Sequence, residues 1–278
     1  MNQFTKRFVK NAGALWGLGI LVIIVVMAIT ANWVYPGNPW DPTVAPFLKP
    51  FQDSQAWLGS DSLGRDIAAG IVHGARASLE VGIVATLVAV IIGLVVGVPA
   101  GFLGGRCDGL LMRFTEIFQT IPSFFFAIVL VAIFQPSFGS VITAVALVSW
   151  PPIARLVRAE FMRVKSSEFV EAARVQGFSR WHIVFQEILP NCISPLIVMA
   201  SLMIANAILL ESAISFLSLG DPNLMTWGYM VGNSRTFLRL AWWMCLFPGL
   251  AIFVTVLAVN LLGEGLNDAL NPRLHRKG

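Results

Sequence analysis

The sequence predicts an all-α integral membrane protein of six transmembrane helices, with one short helix-turn-helix outside the bilayer. Three observations lead there. Of 278 residues, 56% are hydrophobic and only 12% carry a charge, about half the charged share of soluble domains. Mean hydropathy is +0.76, more apolar surface than a compact soluble fold can hide, so lipid must be the main solvent. Charge-free runs long enough to cross a bilayer recur along the chain, separated by polar intervals. The same composition excludes a disordered chain and leaves no room for a separate soluble domain.

A spanning helix takes about 20 apolar residues. The first lies between Lys10 and Asp41, with residues 13–34 as its apolar part. The second lies in 81–105, the fifth in 188–210 and the sixth in 240–263. The charge-free interval 117–154 is too long for one helix. Gln135-Pro136-Ser137-Phe138-Gly139-Ser140 breaks it near the middle, giving two antiparallel neighbours joined by a tight turn. The chain thus divides into an N-terminal segment 1–12, a first span 13–35, an outer loop 36–77, a five-helix core 78–266 and a tail 267–278. The polar interval 166–190 interrupts the core. The first apolar run is longer than a signal-peptide core, and Asn32-Trp33-Val34-Tyr35 offers no clean small-x-small cleavage site. That helix is expected to be retained.

Six spans put both termini on one side. With the N-terminus inside, 14 of the 19 Lys and Arg residues face the cytoplasm, so the termini are placed there. Trp33, Tyr35, Trp40 and Trp57 then gather near the outer boundary. The net charge of +4 reports basic cytoplasmic loops rather than a nucleic-acid surface. Cys107, Cys192 and Cys245 are odd in number and without CxxC spacing, so neither a disulfide framework nor a metal site is expected. His73, His182 and His275 lie outside the spans and far apart. No nucleophile–base arrangement can be assigned.

Two polar intervals carry the information. In the outer loop, Pro36, Pro39, Pro42, Pro46 and Pro50 prevent a regular helix. The following Gly- and Asp-rich stretch 57–66 reads either as a turn into a helix or as a contact surface for an external partner. In the second interval, Ser167 is placed to cap a helix from Glu168. Phe169, Ala172, Ala173 and Gln176 share one face of that helix, and Gly177 stops it. Ser179 caps a second helix that runs from Arg180 to Leu189 and is interrupted at Pro190. Such an element either lies on anionic lipid or docks into a protein groove. Its interleaved Glu168, Glu171, Glu187, Arg174 and Arg180 suit docking.

At these residues the chain resembles a known family. Glu171-Ala172-Ala173-x3-Gly177-x9-Glu187-Ile188-Leu189-Pro190 resembles the EAA loop of permease subunits in binding-protein-dependent ABC importers. The family pattern is apolar where this chain has Glu187. Leu58-Gly59-Ser60-Asp61-x2-Gly64-Arg65-Asp66 resembles the outer-loop signature of the dipeptide/oligopeptide/nickel subfamily, in the second of its two permeases. The stretch from Glu211 to Gly220, with Trp227-Gly228, resembles the end of that subfamily's fifth span, with Ser218 where the pattern has Gly. Phe247-Pro248-Gly249-Leu250 and the run from Asn260 to Arg273 resemble its last span and tail.

The resemblance implies a type I importer permease of a bacterial inner membrane. It pairs with a homologous permease, two ATP-binding subunits holding ATP and Mg, and a periplasmic solute-binding protein. It implies that Glu171, Ala172, Ala173, Gly177, Leu189 and Pro190 couple the chain to the ATPase. Di- or oligopeptides are the implied cargo, with nickel or metal chelates and opine-like compounds as alternatives. The residues agree that ATP is handled elsewhere, because none of the five lysines follows a glycine as a phosphate-binding loop requires. An ATP-independent channel or secondary carrier remains the rival class. Glu211 is the one ionisable residue within a predicted span, in its outer part. With Ser215 and Ser218 it forms a polar stripe, read either as structural or as lining the translocation path.

Overall fold

The computed structural model describes residues 3–270. Most of the expected tail lies outside them, including Arg273, His275, Arg276 and Lys277. In chain order the helices are α1 (Gln3–Lys10), α2 (Ala12–Val34), α3 (Ile67–Leu103), α4 (Gly105–Thr120), α5 (Ser123–Phe134) and α6 (Phe138–Lys165). Then follow α7 (Glu168–Val175), α8 (Arg180–His182), a π-helical turn (Ile183–Ile188), α9 (Leu189–Phe216), α10 (Trp227–Ser234), a 3₁₀ turn (Arg235–Phe237) and α11 (Trp243–Leu270). Among the described residues no strand forms; Ser60 and Asp66 make an isolated antiparallel bridge.

Five helices are long and apolar enough to cross a membrane: α2, α3, α6, the continuous run Arg180–Phe216, and α11. The sixth crossing is not a single helix. The pair α4 and α5, bent by 83°, is apolar and long enough for it when the two helices are taken together as one broken span. The predicted third span therefore breaks internally, at Ile121-Pro122. A residue before proline is pushed out of the α region, and Ile121 is extended at φ −93°, ψ 129°. The break predicted at 135–140 is present: Gln135 takes φ +66° and Ser137 opens α6 with a reciprocal capping box to Ser140.

α3 begins within the predicted outer loop, because the Asp66 carboxylate accepts the Ala68 amide at 2.9 Å and caps it. Its 37 residues extend about 55 Å at 1.5 Å per residue, well beyond the hydrocarbon layer. It packs along α6, and the seam is made by small residues four apart. Ala85, Ala89, Gly93, Gly97 and Gly101 all lie buried. A Cβ at Gly97 would lie 2.6 Å from the Ala154 carbonyl oxygen, and one at Gly101 would lie 2.6 Å from Phe161 Cβ. Without a hydrophobic drive between helices in lipid, such backbone approach supplies the dispersion contact that holds them.

α2 packs on α11, where a Cβ at Gly17 would lie 2.7 Å from the Ala258 carbonyl oxygen. Asn11 Nδ2 donates to Asp268 at 3.0 Å, so the first and last spans end on the same side of the bundle.

Within the outer loop the stretch 57–66 folds as a turn that buries Ser60, Arg65 and Asp66 and leaves Trp57 and Leu63 exposed. Gly59 and Gly64 take φ +83° and +80°, a region closed to most side chains. Ser60, fully buried, donates to the Ala45 carbonyl at 2.6 Å and accepts the Leu48 amide at 2.9 Å. Asp61 accepts the Leu63 and Arg65 amides and pairs with the Arg65 side chain. Trp243 Nε1 of α11 donates to the Ser60 carbonyl at 3.2 Å. Ser60, Asp61 and the Arg65 Nε are thus bonded within the chain.

Candidate coupling elbow and cavity

The elbow starts at Ser167. It occupies the predicted cap position, but its hydroxyl donates back to the Val164 carbonyl at 2.6 Å and makes no capping bond. The turn joining α6 to α7 brings that carbonyl within reach of both the Ser167 amide, at 3.0 Å, and the Ser167 hydroxyl. The predicted small-residue face is divided. Val170 and Ala173 are buried in the chain's own core with Val164, Ile183, Val184 and Ile188. Phe169, Glu171, Ala172, Arg174 and Val175 stay exposed, Val175 at 89%. Ala173 therefore seats α7 on the bundle, and Ala172 faces outward.

Gly177 ends α7 at φ +82°. The Phe178 amide donates to the Ala173 carbonyl at 3.2 Å, and the Gly177 amide to the Arg174 carbonyl at 3.0 Å. This glycine-based stop is the motif expected after a helix. A Cβ there would meet nothing within 4 Å. Glycine is needed at this point for its backbone angle and not for space. Ser179 then caps the next helix, its hydroxyl accepting the His182 amide at 3.2 Å.

The second helix is not interrupted at Pro190. Arg180–Phe216 is continuous, and the chain widens into a π turn over Ile183–Ile188 just before the proline. Proline lacks an amide and clashes with the carbonyl four residues back; the wider turn relieves that clash. The Leu189 amide reaches five residues back to the Val184 carbonyl, and Asn191 Nδ2 takes the Glu187 carbonyl at 2.7 Å. The five-residue offset also brings the Glu187 carboxylate to 3.7 Å from His182 Nε2.

Of the predicted coupling residues, Glu171, Ala172 and Gly177 meet on the exposed elbow. Leu189 is half-buried in the core cluster, and exposed Pro190 lies further along the next helix. Two neighbours escaped the sequence reading. Trp181 is 73% exposed and stacks on Phe185 at 5.8 Å. Their aromatic rings four residues apart, on one face of a helix, were the available signal. Asp108 and Arg158, which tie α4 to α6 close by, also escaped it.

An open cavity of about 800 Å³ lies where the α4–α5 break faces the middle of α6 and α9. Its polar lining comes from Gln119, Ser123, Ser149, Arg155 and Asn206. Glu211 is not among its lining residues. That side chain is 2% exposed and accepts from Ser215 Oγ and Thr226 Oγ1, each at 2.7 Å. The network joins α9 to the cap of α10. Ser218 lies past the helix end, exposed at φ +64°, where Arg235 Nη2 donates to its hydroxyl at 3.4 Å. Glu211 and Ser215 thus come together and Ser218 stands apart. Gln119 and Asn206 carry no charge and leave no mark in a count of ionisable groups; an amide within an apolar span is the signal that identifies them. Among the described residues, no group of three or more His, Cys, Asp or Glu side chains could hold a metal ion.

Apolar helices long enough to cross a membrane, gathered around a wide cavity lined in part by polar side chains, have the architecture of a membrane transport subunit. The chain belongs to the family of binding-protein-dependent transport system inner membrane components, whose model matches residues 89–276. Residues 1–58 match the N-terminal transmembrane domain of oligopeptide transport permease C. The dipeptide transport system permease protein DppC of Escherichia coli (strain K12) is 43% identical over 280 residues, covering 99% of this chain and 93% of its own. The di/tripeptide transport system permease protein DppC of Pseudomonas aeruginosa (strain UCBPP-PA14) is 39% identical, covering 99% and 92%. A chain of the MetNI methionine ABC transporter, solved in inward-facing conformations, superposes with a TM-score of 0.61 at 17% identity, over 73% of this chain and 96% of that one. That likeness concerns the fold.

Proposed function

We propose that the chain is one of two permease subunits of an ATP-driven importer of di- or oligopeptides in a bacterial inner membrane, with both termini in the cytoplasm. The carrying observation is the exposed elbow α7, fixed to the bundle through Val170 and Ala173 and ended by Gly177. An element that is rigidly seated on one side and unpartnered on the other can pass a push into the helices. An ATPase subunit receives Glu171, Ala172 and Gly177, with Trp181 and Phe185 beside them. ATP binding closes two such subunits, the elbow moves, and the helices around the cavity reorient between inward- and outward-facing states. A homologous permease closes the open side of the cavity, and a periplasmic binding protein delivers cargo. ATP and Mg are held by the ATPase subunits, and this chain does no chemistry.

Peptide cargo is supported by the dipeptide and di/tripeptide permeases at 43% and 39% identity. The 14 of 19 basic residues that fall on one side support the orientation. The test is reconstitution with the partner permease, both ATPases and the cognate binding protein. Dipeptide uptake that needs ATP and all subunits is expected. Uptake by this chain alone without nucleotide overturns the reading, and a screen of peptides against metal chelates decides the cargo.

A further inference from the structure

A second cavity, of about 410 Å³, opens beside the elbow. Its walls bring together Lys165 at the end of α6, Arg174 of α7 and Arg180 of α8, with Phe102, Leu103 and Phe178. No acidic residue lines it. The acids nearest in sequence to these cations are engaged elsewhere or face outward: Glu160 holds Arg163, Glu187 faces His182, and Glu168 and Glu171 are exposed on α7. Among the described residues, neither Arg174 nor Arg180 has an ion-pair partner. Lys165 is held in place: its Nζ donates to the Phe102 carbonyl and lies 5.6 Å from the centre of the Phe102 ring. Three cations sharing one cavity without a counter-charge repel one another, and a phosphate placed among them removes that repulsion and satisfies their donors.

The apolar walls say where such a phosphate comes from. Phe102 and Leu103 form the last turn of α3, and the charge-free run 81–105 assigned to the second span ends just past them at Arg106, where a spanning helix is expected to meet the headgroups. Leu103 is 56% exposed and Phe178 is 43% exposed. An acyl chain can lie on these side chains while its phosphate enters the basic cavity, the arrangement of basic headgroup pockets between membrane helices. We propose that this cavity binds the phosphate of an anionic phospholipid and thereby ties the elbow to the membrane. The position follows from where α3 ends and from the elbow, and does not depend on which cargo is carried.

The test uses the assembled transporter in bilayer discs containing equal phosphatidylglycerol and phosphatidylcholine, with retained lipid counted by native mass spectrometry. Wild type retains phosphatidylglycerol in excess. Arg180→Gln lowers the excess about fivefold and K165Q/R180Q lowers it further, as expected for about one unit of basic-residue attraction per charge removed. Arg163→Gln, outside the cavity and engaged by Glu160, leaves the excess unchanged. Arg180 is exposed, so its single variant keeps the test open if the double variant fails to assemble. Equal retention of the two lipids by wild type overturns the proposal and points to an ATPase subunit covering the cavity. Unchanged retention in both variants also overturns it. Displacement of the lipid by millimolar inorganic phosphate overturns the lipid assignment in favour of the free anion.

Discussion

The guanidinium of Arg158 on α6 grips both carboxylate oxygens of Asp108 on α4, at 2.6 Å through Nε and 2.6 Å through Nη2. Paired, coplanar bonds of this kind fix orientation as well as distance. The pair holds the segment before the 83° bend against the helix that leads into the elbow. It is partly open to solvent, with Arg158 34% and Asp108 15% exposed, so a large share of its Coulomb energy is screened.

Asp108→Asn and Arg158→Gln should each destabilise the chain by about 1–2 kcal/mol. The double variant should cost little more than either alone, since the two residues serve one interaction. Thermal unfolding in detergent across the double-mutant cycle measures this. Strict additivity of the two losses would show that the contact carries no energy of its own.

The α3–α6 seam predicts a contrast between glycines. Gly97→Ala places a methyl group 2.6 Å from the Ala154 oxygen and 2.8 Å from Val157 Cβ. Both helices are rigid there, so they must separate, at a cost of about 1–3 kcal/mol. Gly249→Ala in α11 meets nothing within 4 Å and should be neutral or stabilise by up to about 1 kcal/mol through helix propensity. Equal unfolding temperatures for the two variants would contradict the close approach.

How far the sequence was legible follows from which physical signal each feature leaves. Apolar runs between charges located the crossings, because a charge in hydrocarbon is expensive whatever the fold. Gly177 and Ser179 were readable because a left-handed stop and a cap are local needs. The bend at Ile121-Pro122 sat inside a run without a charge, and counting charges passes over it. At Pro190 the local rule predicted a break, yet a π turn absorbed the proline and the helix went on. Ser167 found a better acceptor in Val164, and Ala173 turned inward to the core; both outcomes depend on how α6 and α7 meet. Glu211 stands out in the sequence as an acid at the end of an apolar run, but its partner Thr226 lies on the far side of a loop that no periodicity connects.

Two residues with left-handed backbone predict opposite effects. Ser218 stands at φ +64° with a 3.4 Å hydroxyl contact. Ser218→Gly should stabilise the chain by about 1 kcal/mol, since glycine bears no Cβ penalty there. Gly177→Ala, at φ +82°, should cost a similar amount. Gly177→Trp should cost no more than Gly177→Ala in the chain alone, because the position opens onto free space. In the assembled transporter the two should diverge: the tryptophan alone should block ATPase binding, measured by co-purification. Equal co-purification of both variants would remove Gly177 from the ATPase contact.

Glu211 supports a final prediction that separates scaffold from path. Its carboxylate receives Ser215 and Thr226 at 2.7 Å and a longer bond from Ser212 at 3.4 Å, and it is 2% exposed. Ser215 and Thr226 both donate to Oε1, so Glu211→Gln with its carbonyl oxygen there keeps both short bonds and turns its NH₂ group toward the Ser212 hydroxyl oxygen, which can accept it. Glu211→Leu leaves both hydroxyls without their acceptor, a loss of about 1–3 kcal/mol. If the residue only ties α9 to α10, Glu211→Leu lowers the unfolding temperature and reduces uptake of neutral and cationic peptides in proportion, while Glu211→Gln changes both little. A selective loss of Lys- or Arg-containing peptides in Glu211→Gln, with neutral peptides unaffected, would place the carboxylate on the path in a state other than the one described. Uptake assays with matched neutral and cationic dipeptides, run beside thermal unfolding, decide between the two.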